Sequence, residues 1–544
     1  MKTGIPLLFT ALISLAGLLE ACGGATEQPT VITQATVAQG IVQGVEEGGL
    51  GKFKAIPYAQ PPTGQYRWRA PEPIDHWDGV YQATAYASRP PQQVHAFPGQ
   101  DPPTTSEDCL YINIVTPATR ADEALPVMVW IHGGGFITGS YAEQQGDGLA
   151  RRGVVYASIG YRTGALGFLA LPELSKESPR GTSGNYGLMD QILALQWIQE
   201  NIAAFGGDPE KVTIFGESAG AIAVSMLCAS PLAKGLFRGA ISQSGGSFCP
   251  VDHERTNNNG IRDLRGAEAY GLAFMLRMGV SSLAELRQMN PDVWTSDEQS
   301  TGVGGFWPTV DGYVITGDQY ELYRQGDYND VNVLIGTNSD EGTMFCRPGS
   351  VADYQAEVKR DYGPFAERVL ATYPATTEEE TFCARSDIFR ETAFAWPTFA
   401  WAKLQKQTGK GRVYVYYFDQ AGGGFPIPGP KRGASHGADL SYVFGTFWSE
   451  PSQADRDLSD LMMTYWTNFA KTGDPNSDGS SSGPDEARPA DSTALTYWPE
   501  FDPDQPTVML LKDGASLIDL PHRKELALMD EFYAWKRAQR RAGH

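Results

Sequence analysis

A chain of 544 residues with 41% hydrophobic and 11% aromatic content can bury a large core, which excludes an intrinsically disordered protein. Its formal net charge of -21 repels phosphate backbones and anionic headgroups, so nucleic acid is excluded as a partner. No stretch repeats at a fixed period, which excludes a solenoid or repeat array.

The N-terminus reads as an export signal spanning residues 1–21: Lys2 precedes the apolar run "IPLLFTALISLAGLL", followed by small residues. The run ends in "LEACGG", similar to a bacterial lipobox, in which Cys22 would carry a lipid and anchor the protein to a membrane as an exported lipoprotein. Glu20 stands where a small or apolar residue is usual, which leaves ordinary signal-peptidase cleavage and secretion as the alternative. Residues 22–36, rich in Thr, Gln, Ala and Gly, are expected to form a tether, and residues 37–544 one folded domain.

Within that domain, "PVMVWIHGG" and "GVVYASIGY" are short continuous apolar runs, as expected of parallel strands covered on both faces. "NYGLMDQILALQWIQENIAAF" has helical spacing of apolar residues, stops at Gly206-Gly207, and is followed by the strand "KVTIF". Later strands are "VNVLIGT" and "VYVYYF", with an amphipathic helix through "LSDLMMTYWTNFAKTG". The predicted class is α/β, a mostly parallel central sheet with helices on both faces and a helix-rich insertion between about Cys249 and Asn329. "NSDGSSSGPDEARPADS" reads as a polar surface loop.

The "GESAG" of Gly216–Gly220 stands between a strand and an Ala-rich helix. That is the setting of a nucleophile elbow, where the backbone turns too sharply for side chains at the flanking glycines and Ser218 is left exposed. With 61 glycines in the chain, G-x-S-x-G alone carries little weight, and "GASHG" around Ser435 matches it too. Pro and Gly upstream of Ser435 forbid a strand there, so only Ser218 has the required context.

A serine hydroxyl needs a base, and the base needs an acid to orient it. In a nucleophile–acid–base order, His436 is the best placed of the seven histidines, in the glycine-rich loop after "VYVYYF". His522 and His544 read as solvated surface residues. For the acid, "VNVLIGTNSDEG" offers Asp340 and Glu341, and sequence physics alone does not choose between them. The glycine turn in "VWIHGGGF" presents backbone N–H groups after a buried strand; Gly134, Gly135 and the N–H of Ala219 are the expected oxyanion donors, with His132 shaping the turn. No ligand spacing among His and Cys implies a metal, and no motif implies a cofactor. Setting Cys22 aside leaves five cysteines, of which Cys228 reads as a small buried hydrophobe and Cys346 with Cys383 as the candidate pair.

These segments follow one another in an order that resembles the type-B carboxylesterase and cholinesterase family of α/β hydrolases. The matching stretches are "FKAIPYAQPPTGQYRW", "SEDCLYINIVTP", "IHGGGFITGS", the region from "GNYGLMDQ" through "FGESAGA", "SPLAKGLFRGAISQSG", "NSDEG", "HGADLSYVFG" and "YWTNFAKTGDPN". The resemblance implies an α/β-hydrolase fold, Ser218 as nucleophile, His436 as base and Glu341 as acid, with Ser244 and Asp439 supporting these groups from behind. It also puts Phe306 and Trp307 of "GGFWPTVDG" where related enzymes line the substrate pocket, although aromatics there are as readily core residues.

Three departures stand out. Pro90 and Pro91 occupy the place of the family's usual cysteine partner for Cys109. The loop before "SEDC" has Phe97 as its single aromatic, so a cation–π site for quaternary ammonium is not supported. Ala55 replaces a usual glycine. The expected activity is hydrolysis of a small-molecule carboxylic ester; the rivals are an acyltransferase using an alcohol in place of water, and an adhesion protein on the same fold, which an intact serine, acid and histidine argue against. Oligomeric state and the natural ester are not legible in the sequence.

Overall fold

The computed structural model describes residues 30–93, 103–253, 260–301, 305–422, 432–479 and 495–541. The expected export signal, Cys22, His95, Phe97, His544 and most of the polar loop after Asn476 lie outside the described residues.

Seven strands run parallel through the middle of an 11-stranded sheet. In chain order the strands are β1 (Gln34–Val37), β2 (Gly40–Gln43), β3 (Val45–Glu47), β4 (Leu50–Pro57), β5 (Val80–Gln82), β6 (Tyr111–Thr116), β7 (Leu125–Ile131) and β8 (Val155–Ile159). They continue with β9 (Gly207–Glu217), β10 (Gly239–Gln243), β11 (Arg262–Asp263), β12 (Thr309–Val310), β13 (Asn332–Asn338), β14 (Val413–Phe418), β15 (Thr507–Leu511) and β16 (Ala515–Asp519). The large sheet has the order β16-β15-β14-β13-β10-β9-β7-β8-β6-β4-β3, parallel from β8 to β15 and antiparallel at both ends. Strands β1, β2 and β5 make a small separate sheet, and β11 pairs with β12 in the helix-rich insertion.

The continuous apolar runs are explained by what covers the sheet. Along β7, Val127, Val129 and Ile131 face one core and Met128 and Trp130 the other, all of them buried. The first core takes in Leu195 and Ile198 of the helix Tyr186–Asn201 and Val224 and Leu227 of the helix Ala219–Ala229. The second takes in Met462, Trp466 and Phe469 of the helix Gln453–Thr472.

Two expectations are corrected. The expected tether already holds a strand: β1 starts at Gln34, with Ala35 and Val37 buried in an alternating pattern that the polar composition of the segment obscures. The described cysteines, Cys346 and Cys383 included, are all unpaired. The Cys346 thiol instead meets the Ser386 hydroxyl, on the turn of the helix Glu378–Arg390 beyond Cys383. Cys109 is unpaired and fully buried.

Candidate active site

The loops that leave the C-terminal ends of β7, β9, β13 and β14 converge, as expected for an open parallel sheet. Ser218 is the residue directly after β9. Its φ of 56° and ψ of -124° put a non-glycine residue in a sparsely populated region, a strain of about 1–3 kcal/mol held by the surrounding structure. The Ser218 N–H donates to Gln243 O of β10 at 2.9 Å. The flanking glycines are sterically required: a Cβ at Gly220 would lie 2.0 Å from Ile131 O, and one at Gly216 2.6 Å from the Gly220 carbonyl carbon. Ser218 thus sits at a tight strand-to-helix turn between β9 and the helix Ala219–Ala229.

His436 arrives in the loop after β14 and is 7% exposed. Its Nδ1 faces Glu341 Oε2 at 2.5 Å. The other oxygen of Glu341 accepts from Ser244 Oγ at 2.6 Å and from the Asn338 N–H at 2.7 Å, so the fully buried carboxylate is fixed in one orientation. Asp340, the neighbouring candidate acid, is occupied elsewhere, by Thr343 Oγ1 at 2.6 Å. The imidazole is packed between aromatics, Phe394 stacked on it at 4.6 Å and Phe345 edge-on at 5.1 Å.

Asp439 stands one step further out. It accepts from Gln243 Nε2 at 2.8 Å, Tyr416 OH at 3.1 Å and Asn338 Nδ2 at 3.2 Å. It therefore acts on Ser218 and Glu341 through Gln243 and Asn338, the residues whose backbone holds them. Ser435, the serine of the second glycine motif, lies in the loop, and its carbonyl accepts from Asn338 Nδ2 at 2.8 Å.

Glu217, the variable residue inside the elbow motif, is a member of the site that the sequence analysis passed over. Its Oε1 lies 3.2 Å from His436 Nε2 without the alignment of a hydrogen bond, and both atoms are buried with no hydrogen-bond partner among the described residues. Burial raises the Glu217 carboxyl well above the carboxylate range, with the His436 charge opposing. For His436, burial disfavours the charged ring, but the Glu217 and Glu341 carboxylates outweigh it and hold the imidazole above its ordinary value. The sequence signal for Glu217 was a charged residue at the end of a buried strand. Phe394 had no such signal, because it lies on a π-helical turn, Glu391–Ala395, that breaks helical spacing.

Ser218, His436 and Glu217 share one cavity of about 870 Å³ with Gly134 and Gly135. Both glycines have positive φ, 98° and 64°, which opens the turn after β7 without side chains in the way. Ala219 opens the helix behind Ser218. His132, at the base of the turn, stacks on Tyr161 at 4.3 Å with Nδ1 on Gly133 O at 2.9 Å; burial drives its pKa down to about 4, so it stays neutral. His522, expected to be solvated, is half-buried beside Tyr417 and Arg390, and burial lowers it to about 4. Of the expected aromatic pair, Trp307 lines the cavity, while Phe306 is core, edge-on to Phe274 at 4.9 Å and Tyr270 at 5.4 Å. The reason is the edge of the insertion: consecutive side chains there point to opposite sides, one to the cavity and one to the helix Leu264–Arg277.

Comparison with known proteins gives the same answer throughout. Residues 27–529 match the carboxylesterase family. The chain is 35% identical over 499 residues to a fumonisin B1 esterase of Sphingopyxis macrogoltabida, covering 88% of this chain and 86% of that one. It is 34% identical over 470 residues to a para-nitrobenzyl esterase of Bacillus subtilis (strain 168), covering 81% and 90%. A solved PNB esterase structure superimposes with a TM-score of 0.75 at 32% identity, covering 91% of this chain and 99% of that one. With its parallel sheet and overlying helices, this chain has the α/β-hydrolase fold and belongs to the carboxylesterase family of ester-hydrolysing enzymes.

Proposed function

We propose that this enzyme hydrolyses carboxylic esters through an acyl-enzyme on Ser218. The Ser218 hydroxyl attacks the ester carbonyl as His436 Nε2 takes its proton, and Glu341 holds the resulting imidazolium through Nδ1. The backbone N–H groups of Gly134, Gly135 and Ala219 receive the oxyanion. The C–O bond to the alcohol then breaks, and His436 returns the proton to the leaving alcohol. Water repeats the sequence on the acyl-enzyme: its proton passes to His436, its oxygen bonds to the acyl carbon, and the acid departs as Ser218 is reprotonated.

The observation that carries this reading is the meeting, on one cavity, of a serine on a strained elbow, a glycine turn with positive φ, and a histidine whose far nitrogen is fixed by a buried carboxylate. Trp307, Phe345, Phe389 and Phe394 on the cavity wall favour esters with an apolar acyl or alcohol part. The test is turnover of p-nitrophenyl butyrate by wild type and Ser218→Ala. Loss of about 10⁴-fold in kcat is expected, and equal turnover in the two would remove Ser218 from the mechanism.

We also propose that the protein is exported and anchored through Cys22. Mass spectrometry of the mature N-terminus should find a lipidated Cys22; a chain starting elsewhere would refute the anchor.

A further inference from the structure

One charged group on the catalytic cavity has no part in the chemistry above. Arg347, in the segment that follows Glu341, is exposed and lines the cavity that holds Ser218 and His436. Its guanidinium meets backbone carbonyls, Cys346 O at 3.0 Å and Met344 O at 3.5 Å, both from Nη1. Among the described residues it forms no ion pair. The carboxylates on the same cavity face other groups: Glu143 pairs with Arg89 at 3.0 Å, and Glu217 Oε1 lies 3.2 Å from His436 Nε2.

A second cavity of about 570 Å³ adjoins the first, sharing Phe345, Arg347 and Phe389 with it. Two other guanidinium groups line this second space. Arg385 is matched by Glu357 at 2.9 Å and Arg360 by Asp361 at 2.7 Å. The cation on the shared wall is the one left without a carboxylate.

That vacancy is unexpected in this chain. With 64 acidic residues against 43 Lys and Arg, a guanidinium has an excess of carboxylates to choose from, and the overall charge works against anionic ligands. A planar fork of donors on the wall of the reacting cavity, which Phe345 and Phe389 also line, suits a carboxylate brought in by the substrate.

We propose that Arg347 is a specificity-determining residue that receives an ionised carboxylate on the substrate. The enzyme then takes monoesters of dicarboxylic acids, with the ester carbonyl at Ser218 and the free carboxylate at Arg347. This inference rests on the esterase reading and adds a substrate class to it.

The test compares mono-p-nitrophenyl adipate with p-nitrophenyl hexanoate, which have acyl chains of equal carbon number and differ in the terminal charge. The readout is the ratio of kcat/KM for the charged ester to that for the neutral one, measured on wild type, Arg347→Met and Arg347→Lys. Because Arg347 is exposed, the ratio should fall about five- to ten-fold in Arg347→Met, through KM, and recover in large part in Arg347→Lys. Raising NaCl to about 0.5 M should lower the ratio in wild type and leave it unchanged in Arg347→Met. A ratio equal in all three proteins, or one insensitive to salt in wild type, overturns the proposal while leaving the esterase reading intact. Hexanoate turnover that survives Ser218→Ala overturns the esterase reading instead.

Discussion

Two buried charge clusters in this fold are built in opposite ways. In the first, Arg162 and Asp190 are both fully buried and fully matched: Nε and Nη2 of the arginine reach the two carboxylate oxygens at 2.8 and 2.6 Å, Nη1 reaches Arg69 O at 2.8 Å, and the Arg162 N–H also binds Asp190 at 3.0 Å. In the second, two carboxylates, Glu217 and Glu341, flank one imidazole. Glu341 is saturated with donors, whereas Glu217 Oε1 and His436 Nε2 face each other without a hydrogen bond. The matched cluster has no proton to move and ties the segment after β8 to the helix Tyr186–Asn201. The unmatched edge of the other, turned to the cavity beside Ser218, is where a proton can be exchanged.

The contrast can be broken at each cluster. The largest effect is expected for Glu341→Gln, which keeps the shape and removes the charge that stabilises the imidazolium; kcat should fall on the order of 10³- to 10⁴-fold with thermal stability nearly unchanged. A similar kcat in the variant would mean that His436 does not need an acid. Asp190→Ala should do the reverse: it strands a buried guanidinium at a cost of about 3–5 kcal/mol in denaturant unfolding, while kcat per folded molecule stays near wild type. Wild-type stability in that variant would show the pair to be dispensable.

The smallest effect sharpens the comparison. Glu217 is one of three carboxylates, with Glu341 and Asp439, that raise the pKa of His436, so removing its charge in Glu217→Gln makes the protonated ring less favourable and lowers that pKa. The base is then neutral at lower pH, and the rising limb of the kcat/KM profile should move acidward by about one pH unit. A limb that stays in place, or moves alkaline, contradicts the role assigned to Glu217.

What the sequence made legible follows the same division. Strands buried on both faces announce themselves as unbroken apolar runs, and β7, β8, β9, β13 and β14 were all readable for that reason. The elbow was readable because its glycines answer to hard contacts, with Ile131 O leaving no room for a side chain at Gly220. The choice of acid was legible only through the family resemblance, because Asp340 and Glu341 are adjacent in sequence and both buried; the difference lies in which of them the backbone of β13 and Ser244 turn toward His436. The sides taken by Phe306 and Trp307 were equally hidden, since an irregular segment has no period to read. The same holds for β1, where a polar composition masks an alternating strand.

The central claim is that one serine out of the chain is activated by this histidine. Treatment with a fluorophosphonate followed by peptide mass spectrometry tests it most directly. The account predicts one adduct per chain, on Ser218, formed in step with loss of esterase activity and absent in His436→Ala. An adduct on another residue that accounts for the lost activity, or full inhibition with Ser218 unmodified, would contradict it.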